Sequence, residues 1–189
     1  MVWSKMKQIL ESFICPGLAG RVEYRATGYR YMPGKAAQCY ITVDKKEVFN
    51  MSDGATSIRW YQTEQEIKSD PDIKVPLSEE DIEKVRKDTG GTVPEERLAV
   101  IARSRKIADY AKEVMSAQAA LSKSNFQAVA NDFLSGSIEE SLESGDILLN
   151  VFALVDRRVG KKRILGMDDK MKLKHPIVQY FYELRRSTM

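Results

Sequence analysis

The chain has 189 residues, of which 43% are hydrophobic and 30% charged, enough to bury a sizeable core and to exclude disorder as its general state. Two cysteines and a single histidine exclude a disulfide framework and leave too few ligands for a zinc site without carboxylates. No stretch approaches the roughly 20 apolar residues of a membrane helix, and lysines interrupt the N-terminal apolar positions, so a soluble cytosolic protein without a secretory signal is expected.

The net charge of +3 conceals segregation: +4 over residues 1–50, −6 over 51–96, −1 over 97–155 and +6 over 156–189. Basic ends beside an acidic middle predict complementarity within one molecule or between two copies, with a basic face for nucleic acid as the competing reading.

The first element is a short amphipathic helix. Trp3, Met6, Ile9, Leu10, Phe13 and Ile14 recur at three- and four-residue spacing, and Cys15-Pro16-Gly17 ends it, because a proline biases the residue before it away from helical angles. Cys15 then reads as a small apolar residue at a helix end. Val22, Tyr24 and Ala26 alternate with polar residues as in a half-buried strand, and the apolar phase slips after Gly28 to Tyr29 and Tyr31, which predicts a bulge. Met32-Pro33-Gly34-Lys35 reads as a type II turn. Cys39, Ile41 and Val43 face one way in a second strand, and Asp44-Lys45-Lys46-Glu47 turns the chain into a short third strand, Val48-Phe49-Asn50. A small antiparallel three-stranded meander results, and it needs a partner on its face, for which the first helix is the nearest candidate.

From residue 51 the pattern is helical. Ile58, Tyr61 and Ile67 mark a helix through about residue 69, with Thr63 too polar to settle its phase, and Asp70-Pro71 breaks it. Ser78 caps the next helix, with Asp81 at its third position and a Leu77–Ile82 staple, and Gly90-Gly91 ends it. Pro94 sits at a helix start where Thr92 and Glu95 offer a capping box, and Leu98, Ile101, Arg105, Ala108, Met115 and Ala119 carry that helix to about residue 121. Ser124 and Gln127 box a further start, with Phe126, Val129, Ala130, Phe133 and Leu134 as its stripe. Ser137 and Glu140 open a short helix, and Asp146 caps a more apolar one, Ile147 to Val155, that reads as a central core helix. The last element starts at Pro176, with Ile177, Tyr180, Phe181 and Leu184 in register and Arg185 and Arg186 in its final turn.

Chemistry-bearing motifs are sparse. The chain has no phosphate loop, no glycine-rich nucleotide fingerprint and no nucleophile elbow. Glu79-Glu80-Asp81 resembles a carboxylate cluster, but acidic residues in a helix's first turn follow from the macrodipole. His175 is the only imidazole, and a Cys–His nucleophilic pair needs Cys15 or Cys39 to meet it; Cys39 alternates with Ile41 and Val43, which argues for a buried, inert thiol. Tyr24, Tyr29, Tyr31 and Tyr40 near Arg21, Arg25 and Arg30 read either as a base-stacking platform or as a covered sheet face, and the RNA-recognition signature is absent. The most specific polar feature is the run Asp156 to Arg163. Arg157, Arg158, Lys161, Lys162 and Arg163 are candidate anion or nucleic-acid contacts, joined by Lys170, Lys172 and Lys174. The structural reading has Asp156 pairing with Arg157 or a helical neighbour while the lysines stay solvated.

The segments WSKMKQILESFICP, GRVEYRATGYRY, CYITVDKKEVFN, DRRVGKKR and HPIVQYFYELR resemble a family of small uncharacterised bacterial cytosolic proteins, over nearly the full chain. The resemblance implies a bacterial origin and an intracellular location, and no activity, cofactor or catalytic residue.

The expected fold is α+β: an N-terminal helix with the meander over 1–69, a loop over 70–77, and a helical bundle over 78–189, the parts able to pack as a single unit. The helices 146–156 and 176–187 are expected to form the bundle core with the stripe of 98–119. The favoured function is a non-catalytic interaction protein that binds a protein partner or its own copy. Nucleic-acid binding through the basic run is the second expectation, and an enzyme with an unrecognised site the third. No cofactor, metal or membrane is expected.

Overall fold

The computed structural model describes residues 1–28 and 37–189. Helix α1 (Trp3–Phe13) leads into three strands, β1 (Val22–Gly28), β2 (Ala37–Val43) and β3 (Lys46–Ser52), paired antiparallel in the order β1-β2-β3. Helices α2 (Asp53–Ser69), α3 (Glu79–Asp88), α4 (Glu95–Ala117), α5 (Lys123–Ser135), α6 (Ile138–Glu143), α7 (Ile147–Val155), α8 (Lys161–Leu165), α9 (Asp168–Met171) and α10 (Pro176–Arg186) follow. The fold is α+β, as the alternation and helical spacing predict. Among the described residues no helix is long and apolar enough to cross a membrane.

Local chemistry explains most boundaries. The β2–β3 hairpin closes through Asp44 and Lys45, both at positive φ (49° and 66°), the two-residue geometry whose twist matches that of paired strands. Arg21 holds the turn by donating from Nε and Nη2 to the two carboxylate oxygens of Asp44, at 2.9 and 2.8 Å. The register of β2 on β3 shifts between Ile41 and Thr42, so Ile41, Thr42 and Val43 are all buried. The slip to Tyr29 and Tyr31, Arg30 and the turn Met32–Lys35 lie outside the described residues.

Ser78 with Asp81 and Ser137 with Glu140 form the expected capping boxes, and Asp146 accepts from the N–H groups of Leu148 and Leu149. The start of α5 differs by two residues: Ser122 and Asn125 form its box, in place of Ser124 and Gln127. The expected box at Thr92 is absent, because its hydroxyl turns back to the Thr89 carbonyl at 2.7 Å.

The described chain divides into two compact units, residues 1–56 with 116–189, and residues 57–115. The loop expected to separate domains at 70–77 therefore falls inside the second unit.

The first unit is built around α7, of which every residue but Leu149 is buried. Phe152 sits among Tyr24, Phe126 and Phe133, with ring centroids 5.6, 5.5 and 5.3 Å away, so the covering of the sheet comes from α5 and α7 as well as α1. Trp3 of α1 packs on Phe126 at 5.6 Å. The buried Asn150 amide donates to the carbonyls of Ser141 and Ser144 at the end of α6, which absorbs orphan acceptors there. Lys123 N–H donates to Asp53 at 2.9 Å and the Thr56 hydroxyl to the Leu121 carbonyl, fixing the start of α2 beside the start of α5.

The second unit has two small cores: Ile67, Ile107 and Ala111 with Ile73 and Val75, and Val85, Leu98 and Ala102 with Leu77, Ile82, Val93 and Ile101. The stripe of 98–119, expected to join α7 and α10 in one bundle core, is therefore divided: Leu98, Ala102, Ile107 and Ala111 serve these two small cores, and Ala119 packs on the core of the first unit. The step from Ala102 to Ile107 is five residues, which turns the buried face of α4 by about 140°. The N-terminal half of α4 thus serves α3, and the C-terminal half serves α2. Of the three residues whose spacing marks α2, Ile67 is buried with Thr63, while Ile58 and Tyr61 on the opposite side are 64% and 66% exposed.

Candidate functional site

The basic run follows α7 directly, and the backbone there is pinned. The Cys15 N–H donates to the Val155 carbonyl at 2.8 Å and the Arg157 N–H to the Phe13 carbonyl at 2.7 Å, a short antiparallel bridge between the end of α1 and the start of the run. Asp156 is 1% exposed. Its carboxylate accepts from the Arg158 N–H at 2.7 Å, from Arg158 Nε at 3.1 Å and from Arg158 Nη2 at 2.8 Å. The Arg158 guanidinium lies 4.3 Å from the Phe13 ring centroid and 5.5 Å from that of Phe133. Arg158 therefore compensates a buried charge and covers core aromatics.

The other candidates divide. Arg163 donates to Glu143 at 2.9 Å, and Lys170 donates to the same carboxylate, which together hold the Glu143 carboxyl below its ordinary range, Lys170 being the larger cause. Lys161 donates to the Met189 carbonyl at 3.1 Å. Lys172 pairs with Asp168 and Asp169, and Lys174 donates to the Ser144 carbonyl. Arg157 and Lys162 have exposed side chains with no ion-pair partner among the described residues. Arg185 is buried and donates from Nη2 to the Val159 carbonyl at 2.9 Å, tying the last turn of α10 to the run. The run is thus largely engaged in holding its own unit together.

The nucleophile candidates are also committed elsewhere. Cys15 and Cys39 are free and buried, and burial pushes the Cys39 thiol up to about 11, away from the thiolate a nucleophile needs. His175 caps α10, its Nδ1 accepting the Ile177 N–H at 3.2 Å in front of Pro176. Tyr24 lies inside the core, and burial drives its phenol pKa upward, so it offers no stacking face. Tyr40 occupies the opposite face of the sheet and is half-buried. Among the described residues no three of His, Cys, Asp and Glu are grouped to hold a metal ion.

Concave surface is found on the helical unit 57–115, whose net charge is −2. One groove there, of about 680 Å³, runs between the end of α2, the 70–76 segment and α4. Ile67, Ile73, Val75 and Ile107 line it apolarly, and Lys68, Lys74, Arg103 and Asp70 supply its charges. A second groove of about 490 Å³ lies over α3, with Ile82 among Glu79, Glu80, Glu83 and Glu95. Arg86 spans it, ion-paired with both Glu83 and Glu95. A third, of about 270 Å³, includes Asp81, Lys106, Asp109, Tyr110 and Glu113. Lys106 bridges Asp81 Oδ2 and the Pro76 carbonyl, each at 2.7 Å.

The Asp81 carboxylate accepts from Lys106 and from the hydroxyl and N–H of Ser78, and these bonds hold its pKa well below the usual carboxylate range, Lys106 first. A depressed carboxyl contributes stability that is complete above its unfolded-state pKa and is lost as pH falls through the folded one. Carboxyl-carbon NMR should therefore find Asp81 still ionised at pH ~4, where an ordinary aspartate is half protonated. Lys106→Met should raise its midpoint toward the ordinary value, and an ordinary midpoint in the unaltered chain contradicts this geometry.

The SF0329 protein family model matches residues 2–186. The chain belongs to this family. No curated protein and no solved structure matches it.

In this SF0329 family chain, the features that sequence reasoning missed are the grooves and the two short helices after α7. The latter had a signal: Val159, Ile164, Met167 and Met171 are all buried, at helix-compatible spacing from Ile164 onward, with cations between them. The grooves had none, because they depend on how α2, α3 and α4 of this family member share their faces.

Proposed function

We propose that the chain is a bacterial cytosolic, non-catalytic interaction protein that engages another protein chain through its helical unit 57–115. The observation that carries this reading is the surface of that unit: an apolar-floored groove with charged rims, together with the exposed apolar side chains Ile58 and Tyr61 on the other side of α2 and Val100 and Tyr110 on α4. Apolar patches rimmed by charge suit protein partners, since the apolar part gains by leaving water and the charges set orientation. Two buried thiols fit a reducing compartment.

Nucleic-acid binding through the basic run rests on Arg157 and Lys162, because Arg158 and Arg163 are paired with carboxylates and Lys161 with a carbonyl. Two unpaired cations give only a shallow salt dependence and weak attraction. The test is a hydrogen-exchange footprint of the tagged full chain in extract of its native cells. Slowed exchange over 57–115 is expected, and slowing confined to 156–163 would favour the nucleic-acid reading instead.

A further inference from the structure

The groove between α2, the 70–76 segment and α4 has an unusual charge arrangement. Lys74 and Arg103 lie on it with no carboxylate partner among the described residues, while Lys68 is paired with Glu64 at 3.2 Å. Five residues beyond Lys74, Glu79 and Glu80 stand exposed in the first turn of α3, with no cation partner among the described residues. They border the acidic groove in which Ile82 lies between carboxylates. One unit thus carries a basic-rimmed apolar groove and, a few residues along, an acid-rimmed surface with an apolar centre.

We propose that the occupant of the groove is a second copy of this chain, in a two-fold dimer that pairs Lys74 and Arg103 of each copy with Glu79 and Glu80 of the other. The proposal rests on the reading of 57–115 as a docking unit and names its partner. Two-fold association is the commonest symmetry of homo-oligomers and brings unlike patches together reciprocally: where residue i meets j, j also meets i. The segment from Lys74 to Glu80 holds both signs around Pro76 and Leu77, so an axis passing beside it sets each cation against the other copy's carboxylate. Ile82 and its surroundings then approach the floor of Ile73, Val75 and Ile107. The pairs are exposed at the rim, so the association is salt-sensitive and its specificity comes from charge placement.

The test is light scattering and sedimentation of the full chain at millimolar concentration. At ionic strength about 0.01 M, with a screening length of about 30 Å, a dimer is expected; at about 1 M, with about 3 Å, a monomer. The variant Lys74→Glu with Arg103→Glu makes both surfaces acidic, and Glu79→Lys with Glu80→Lys makes both basic. Each alone should be monomeric at low salt, and an equal mixture of the two should form a heterodimer, because both contacts are then complementary. Restored association cannot come from a misfolded variant. Should a reversal fail to fold, Lys74→Gln with Arg103→Gln should weaken dimerisation at least tenfold, and an unchanged dimer would overturn the proposal. A monomeric wild-type chain at low salt, or folded reversal variants whose mixture stays monomeric, would also overturn it. If 57–115 is still protected in cell extract, the partner is a different protein and the broader reading stands; if it is not, both fall.

Discussion

Phe152→Ala should lower the unfolding free energy of the first unit by about 3–5 kcal/mol, the range for emptying an aromatic site in a close-packed core. The effect is large because Phe152 is 1% exposed and touches three other rings, those of Tyr24, Phe126 and Phe133, which belong to β1 and α5. Removing it opens the contact between sheet and helices at its centre. Phe152→Leu keeps most of the volume and should cost less than the alanine variant. Urea unfolding followed by Trp3 fluorescence reads this unit, since Trp3 packs on Phe126; Trp60→Phe removes the competing indole. A loss below about 1 kcal/mol would mean that the cluster is not the keystone of the core.

Arg158→Met should cost about 2–3 kcal/mol, less than the loss from a fully buried ion pair because the Arg158 side chain is 38% exposed, yet large because it leaves the buried Asp156 charge without its partner. Arg158 sits in a run that reads as solvated cations, and a surface arginine would change stability by only about 0.5 kcal/mol. The difference lies in Asp156, whose side chain is 0% exposed and whose charge Arg158 compensates. The double variant Asp156→Asn with Arg158→Met should recover part of the loss, with a coupling of about 1–3 kcal/mol between the two sites. Lys162→Met is the control and should be near neutral. If Arg158→Met proves equally silent, the run is a solvated face and its availability to phosphate has to be reconsidered.

The legible parts of this fold are those written in local chemistry. The alternation of Val22 and Tyr24, and of Cys39, Ile41 and Val43, places the core face of the sheet, and the boxes at Ser78 and Ser137 and the cap at Asp146 place three helix starts to the residue. A stretch such as Ile147–Val155, apolar at every position but Asn150, reads as a central helix because its apolar residues occupy more than one face. What could not be read is which stripes meet. Ile58 and Tyr61 have the spacing of a core face, yet Thr63 and Ile67 were chosen by the packing partner. The α4 stripe changes sides at Ala102, so a single-face reading of it fails. The candidate site divided in the same way. The basic run was visible as composition, but the burial of Asp156, which commits Arg158, is a tertiary fact. The grooves of 57–115 depend on three helices and a loop, and no spacing announces them.

The most direct test of docking through residues 57–115 is the hydrogen-exchange map of the full chain, compared between pure buffer and extract of its native cells. Amides of α2 and α4 in that unit should exchange more slowly in the extract, while those of α7, already buried, and those of 156–163 should be unchanged. Unaltered exchange throughout 57–115 both in extract and when the pure chain is raised to millimolar concentration, or new protection appearing at 156–163 alone, would contradict the proposed function.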